Sequence, residues 1–291
     1  MDGTRKGLGT LEAEVLSELN AEGKTVFSID ELAAKTGSAV KARKMASKLV
    51  KKKWLGRLKR GVYLIMELAA GKTPQWTEDS YFIASKLVSP YYIGYYDMLH
   101  EYGWTEQIPF TVTVATTKKA KSRAIYGVNY KFITLTKKKF FGTTESYLGQ
   151  SGSHITVSSR EKTIVDALDH PEYCGGIQEV AKALYTACSE TREDSWAPFG
   201  SPKYKTKAKV LDLKRLVEYA EKMGNGAILK RLGYLAELME IGLPDGLKAE
   251  IKSKLTKGYA PLYPGTRSKG KHDGKWMIIL NTQLTKQLVL A

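Results

Sequence analysis

The chain has 291 residues, 43% hydrophobic and 10% aromatic; that suits a buried core, excludes wholesale disorder, and its length favours two domains. Forty-six Lys and Arg against 30 Asp and Glu leave a net charge of +16, which is silent about fold and points to an anionic partner such as nucleic acid. No window approaches the roughly 18 consecutive apolar residues of a membrane span, and the opening MDGTRKGLGT lacks an apolar signal core, so a cytoplasmic protein without membrane contact is expected.

From the amino end, Thr10 is placed to cap a first helix in which Leu11, Val15, Leu16 and Leu19 recur at helical spacing. Ser28-x-x-Glu31 is a capping box that opens a second helix over IDELAAK, with Leu32 and Ala33 turned towards the first, and Gly37 supplies the turn that follows. Ser38 then caps a third helix. At about 100° per residue, Ala42, Met45, Ala46, Leu49 and Val50 gather on one side of it. Arg43, Lys44, Ser47, Lys48 and Lys51 gather on the other, with Lys41 and Lys52 at the margin.

WLGRLKRGVYLI follows, two β-prone runs around KRG, where Gly61 can adopt the positive φ of a tight hairpin. Residues 38 to 60 hold ten Lys or Arg and no Asp or Glu. A lysine-rich helix face is commonly just solvated. Such faces mix signs, however, whereas like charges repel one another and are better tolerated when phosphates neutralise them. Helix, helix, glycine turn, basic helix and basic hairpin is the order of a winged helix-turn-helix, whose third helix enters the DNA major groove.

Gly71 and Pro74 mark a linker at 67–76, which separates a DNA-binding domain at 1–66 from a larger α/β domain at 77–291, an α+β chain as a whole. In the second domain, helices are expected at 78–88 and 94–102, and strands in FTVTVATT and NYKFITLT, with Lys118, Lys119 and Lys121 between them. HITVSS reads as a further strand. Ser158-x-x-Glu161 would cap a helix to Leu168 ahead of Pro171, and another helix follows Gly175 and Gly176. After the basic connection APFGSPKYKTKAKV come three helical patterns, LDLKRLVEYAEKM, AILKRLGYLAELMEI and LKAEIKSKL, and a late strand in KWMIILN. YPGTRSKGKHDGK reads as a mobile basic loop. The tyrosines of SPYYIGYY lack a flanking basic cluster and read as packing residues rather than base-stacking ones.

Catalytic signatures are missing. There is no Walker A pattern, GNGAIL lacks the last glycine of a dinucleotide fingerprint, and GQSG is not a nucleophile elbow. The four histidines are scattered, and Cys174 and Cys188 show no zinc spacing, so no metal, cofactor or disulfide is expected. Asp166 and Asp169 could in principle be a carboxylate pair but, three residues apart on one helix, they read as part of its polar face or as bonded to neighbouring backbone.

YYIGYYDMLHEYGWTEQIP (91–109), KKFFG (138–142), SSREKTIVDALDHPEYCGGIQEV (158–180) and RLGYLAELM (231–239), preceded by RGVYLI (60–65), resemble the AbiEi family. These are the antitoxins of the AbiE abortive-infection systems, classed as type IV toxin-antitoxin. Asp97 and Met98 depart from the family's usual small polar residue and Ala. The resemblance implies a DNA-binding amino-terminal domain that represses its own operon. It also implies a carboxy-terminal domain that counters a nucleotidyltransferase-like toxin, with or without touching it.

On the DNA reading, Ser38, Lys41, Arg43, Lys44, Ser47, Lys48 and Lys51 face the duplex. Arg43 is the candidate base reader, because its planar fork can pair bidentately with guanine. Arg57, Lys59 and Arg60 in the hairpin would reach the flanking backbone or minor groove and fix register without reading sequence. Two copies meeting on DNA would suit a palindrome, although no coiled-coil seam is present. Two other classes stay open: an interaction module whose basic face binds the toxin or tRNA, and an enzyme that reverses the toxin's modification, which no motif supports.

Overall fold

The computed structural model describes residues 5–66, 79–148, 153–189 and 210–290. The linker expected at 67–76 and nearly all of APFGSPKYKTKAKV lie outside them. The chain forms two compact units, Met1–Ser89 with Arg123–Val128, and Pro90–Ser122 with Asn129–Ala291.

The first unit begins with α1 (Thr10–Ala21), β1 (Val26–Ser28), α2 (Ile29–Thr36) and α3 (Ala39–Lys51). The β2 (Leu55–Lys59) and β3 (Val62–Ile65) hairpin and α4 (Ser80–Leu87) follow. Helix α1 starts one residue away from expectation. Gly9, not Thr10, is its N-cap, and the Glu12 carboxylate reaches back to accept the Gly9 N–H at 2.9 Å. Leu11, expected on the buried stripe, is 56% exposed, while Val15, Leu16 and Leu19 are buried.

The capping box of α2 forms as read, with Ser28 accepting from Glu31 N and Glu31 accepting from Ser28 N. Gly37 (φ 68°) and Gly61 (φ 76°) take the left-handed conformations that their turns require. Strand β1 is an addition to the sequence reading. It pairs antiparallel with β3, which pairs antiparallel with β2, so the hairpin belongs to a three-stranded sheet in the order β1-β3-β2. Val15, Leu16, Leu19, Phe27, Leu32, Ala42, Ala46, Leu49 and Leu55 form one core under these elements.

The second unit is built on β4 (Tyr91–Ile93), β5 (Thr111–Thr116), β7 (Val128–Thr134), β8 (Thr143–Leu148) and β9 (Ser153–Ser158). The intervening short strand β6 (Arg123–Ile125) falls in the stretch grouped with the first unit. Strand β7 runs parallel to β5, β4 is antiparallel to β5 and parallel to β9, and β8 closes the edge antiparallel to β9. Helices α5 (Tyr96–Glu101), α6 (Arg160–Asp169), α7 (Ile177–Ser189), α8 (Leu213–Lys222), α9 (Gly226–Leu238) and α10 (Asp245–Ser253) follow in chain order. A small sheet of β10 (Ala260–Pro261), β12 (Ile278–Leu280) and β11 (Lys271–Asp273), and a last helix α11 (Lys286–Leu290), complete the unit. The architecture is the α+β class read from the sequence: an amino-terminal helix-turn-helix unit followed by a larger mixed α/β unit.

Several local readings shift. The helix expected at 94–102 forms as α5, Tyr96–Glu101, and is preceded by a strand not expected from the sequence, β4 at Tyr91–Ile93. Tyr92 and Tyr95 are fully buried, as packing residues should be. Ser159, not Ser158, caps α6, its hydroxyl accepting from Lys162 N at 3.3 Å. Ser158 instead shares a 2.6 Å hydrogen bond with the Thr163 hydroxyl. The basic stretch around Lys271 contributes β11 rather than only a loop.

The largest departure concerns Asp166 and Asp169. Every residue of α6 from Glu161 to Asp169 is buried, so the helix has no polar face for them to occupy. Asp166 pairs with the Lys162 ammonium and accepts the Tyr92 hydroxyl at 2.9 Å. Asp169 accepts from Lys139 at 2.8 Å and from Asn225 at 2.6 Å. Arg231 reaches the end of the same helix. Its Nη1 donates to the Leu168 carbonyl at 2.7 Å, and Nε and Nη2 donate to the Pro261 carbonyl at 3.2 and 3.1 Å. One guanidinium thus satisfies a helix C-terminal carbonyl and ties it to β10.

Candidate nucleic-acid interface

Helix α3 is a two-sided rod. Ala42, Ala46 and Leu49 are fully buried, with Met45 and Val50 packed at the core margin. Lys41, Arg43, Lys44, Ser47, Lys48 and Lys51 are all exposed. Arg43, Lys44, Ser47, Lys48 and Lys51 line one shallow open groove along the rod. Ser38 is the N-cap residue, half-buried, with extended backbone (φ −160°, ψ 129°) and no capping hydrogen bond from its hydroxyl. The entry turn is held by the Thr36 hydroxyl, which donates to the carbonyls of Leu32 at 3.0 Å and Ser38 at 3.2 Å. Five of the seven residues expected on the duplex-facing side thus line one groove, while Lys41 is exposed outside that lining and Ser38 sits half-buried at the helix start.

That face is not purely cationic in its setting. Glu12, on α1, is 5% exposed and lies 3.0 Å from Lys48 Nζ and 2.6 Å from Lys52 Nζ. Burial by itself would raise its pKa. The Gly9 N–H and the two ammonium groups outweigh that and hold the carboxyl at about 2. Glu12 was not found by sequence reasoning, because the helical-wheel argument for α3 carries no information about what α1 places beside it.

The hairpin residues divide. Arg57 and Arg60 are exposed. Lys59 is half-buried and donates to the Leu87 carbonyl at the end of α4 at 3.2 Å, so part of its hydrogen-bonding capacity is already engaged. The β2–β3 register shifts between Arg57 and Lys59, which bulges the basic strand at this point. Beside it, the Tyr126 ring lies so close to Gly56 that a Cβ there would overlap its hydroxyl. Neither Tyr126 nor the N-terminal Arg5, whose guanidinium stacks on Trp54 at 4.7 Å and donates to the Met66 carbonyl at 2.7 Å, was flagged by the sequence.

Among the described residues no three His, Cys, Asp or Glu side chains gather as a metal site, and no helix is long and apolar enough to cross a membrane. Cys174 and Cys188 are not bridged.

Residues 14–65, the stretch from α1 through β3, match the model of a family of transcriptional regulators described as AbiEi antitoxin. No curated protein matches. The fold is similar to that in the crystal structure of RV2827C protein from Mycobacterium tuberculosis. The TM-score is 0.62 at 12% identity, over 99% of this chain and 96% of that one.

Proposed function

We propose that this chain is the antitoxin of a type IV toxin-antitoxin system and a cytoplasmic DNA-binding repressor of its own operon, with a role in phage defence by abortive infection. In this reading residues 1–66 are a winged helix-turn-helix domain, 67–76 a linker and 77–291 the antitoxin domain that counters a nucleotidyltransferase-like toxin.

The observation that carries the reading is the two-sided character of α3. Its apolar side is spent on the core, and its other side presents Lys41, Arg43, Lys44, Ser47, Lys48 and Lys51 together, with the Arg57 and Arg60 hairpin next in sequence. The family match over 14–65 covers these elements. A duplex major groove is wide enough for such a rod. The lysines neutralise phosphates and set affinity, Arg43 reads a guanine edge, and Arg57 and Arg60 fix register on the backbone. The Glu12 carboxylate, 3.0 Å from Lys48 Nζ, offsets part of the positive field that Lys48 presents.

The alternative is a non-DNA module whose basic face binds the toxin or tRNA. A gel shift with the upstream promoter, an unrelated duplex and tRNA separates the two. Preference for the promoter supports the repressor. Preference for tRNA, or shift only with the toxin, removes it.

A further inference from the structure

The exposed side of α3 carries one apolar side chain that the core does not use. Among the larger apolar residues of this helix, Leu49 is fully buried and Met45 and Val50 pack against the core, whereas Val40 is 59% exposed. At about 100° per residue, Val40 falls within about 20° of Ser47 and Lys51 and about 40° of Lys44. It therefore extends the row of Arg43, Lys44, Ser47 and Lys51, which line the groove, towards the start of the helix. Isolated exposed valines are common on protein surfaces. This one stands where its neighbours one and two turns on are Arg43, Lys44 and Ser47.

Local stability gives no reason for it. A β-branched residue in the first turn of a helix loses χ1 freedom, and Ala or Lys at the same exposed position would favour the helix more. Phosphate binding gives none either, because an isopropyl group is short and offers neither donor nor charge. What it can do is pack against another apolar group. In the major groove of a duplex, the apolar group on a base edge is the C5 methyl of thymine. Guanine, adenine and cytosine present polar atoms there, which an isopropyl group would strip of water without replacing their hydrogen bonds. The position suits such a contact, since the amino-terminal residues of a recognition helix are the ones that reach base edges. Val40 is the second residue of α3.

We propose that Val40 is a specificity-determining residue that packs on a thymine methyl in the operator. The inference rests on the DNA-binding reading above and adds a base pair to it. Val40 and Arg43 are three residues apart, about 4.5 Å along the helix axis, against about 3.4 Å between base pairs, so the thymine lies about one or two pairs from the guanine that Arg43 reads.

The test uses the full-length protein and the upstream promoter duplex, in which each thymine in turn is replaced by deoxyuridine. That exchange deletes the methyl and keeps the O4 acceptor and the base pair. At one thymine, or a symmetry-related pair, wild type should lose about three- to fivefold in affinity, as expected for one buried methyl. Val40→Ala should bind the unmodified promoter about three- to tenfold more weakly and be indifferent to uracil at that same position, a non-additive cycle. Its site is exposed and Ala is the better helix former, so the fold is kept. On an unrelated duplex the two proteins should bind equally. A wild type that senses no uracil, a Val40→Ala variant that senses it in full, or an equal loss on the unrelated duplex overturns the inference. If wild type prefers the promoter and Arg43→Ala weakens that preference while no thymine methyl is sensed, the recognition helix stands and the Val40 assignment falls. A wild type with no preference for the promoter removes both.

Discussion

Glu12 Oε1 on α1 lies 3.0 Å from Lys48 Nζ on α3, so the cationic rod is anchored to the first helix by a buried carboxylate. The same carboxylate caps α1 through Gly9 N and holds Lys52 at 2.6 Å. Lys48 is well exposed and adds little to stability through this pair. The Gly9 and Lys52 contacts carry most of the effect.

Glu12→Ala should therefore destabilise the first unit by about 1–3 kcal/mol in denaturant titration. The pH dependence follows from the sign of the shift. The folded pKa, about 2, is below the ordinary 4.5, so the contribution is complete above about 4.5 and is lost as pH falls through 2. Wild type should lose more stability than Glu12→Gln between pH 4.5 and pH 2; parallel losses would contradict the assignment.

Asp97 is shifted the other way. It is fully buried, and burial pushes its carboxyl up to about 7 against the opposing 2.8 Å hydrogen bond from Thr113 N. A raised carboxylate pKa favours the folded state while the group is protonated, so stability should decline as pH rises from about 4 to about 7 and then level off. Asp97→Asn keeps an acceptor for Thr113 N and removes the charge. It should stabilise the protein at pH 8 by up to about 4 kcal/mol and have little effect at pH 4. Equal effects at both pH values would show that the side chain does not titrate in this range.

Lys162 and Asp166 are both fully buried, one turn apart on α6. Removing only the ammonium, in Lys162→Met, leaves Asp166 beside Tyr92 with its charge uncompensated. The expected cost is about 3–5 kcal/mol, read as a fall in denaturation midpoint. Lys162→Met with Asp166→Leu should recover much of that loss. A double variant as weak as the single one would mean that packing, not charge pairing, sets the penalty.

Gly56→Ala should destabilise the hairpin by about 1–3 kcal/mol because its Cβ meets the Tyr126 hydroxyl. Adding Tyr126→Ala opens the space and should restore part of the loss, with melting temperature as the measure. No recovery in the double variant would place the strain elsewhere.

What the sequence made legible was local. The Ser28 and Glu31 capping box, the Gly37 and Gly61 turns and the two faces of α3 all depend on residues within a few positions of each other. Strand β1 escaped notice because three residues carry no periodicity, and its partner Val62–Leu64 is far along the chain. Glu12 was missed beneath the basic face for the same reason: its partners lie on another helix. Asp166 and Asp169 were misread because a helical wheel assumes an outward side. Helix α6 is buried from Glu161 to Asp169; Asp166 is satisfied by Lys162 on the same helix and by Tyr92, and Asp169 by Lys139 and Asn225, and Tyr92, Lys139 and Asn225 all come from distant segments.

The most direct test of the central claim is promoter binding by Arg43→Ala and by Lys44→Ala with Lys51→Ala, measured across salt against an unrelated duplex of equal length. We expect Arg43→Ala to lose about 1–3 kcal/mol on the promoter and little on the unrelated duplex. The lysine pair should lose affinity on both, with a slope shallower by about 1.8. Wild-type affinity in all variants, or a wild type that binds the promoter no better than unrelated DNA, would contradict the account.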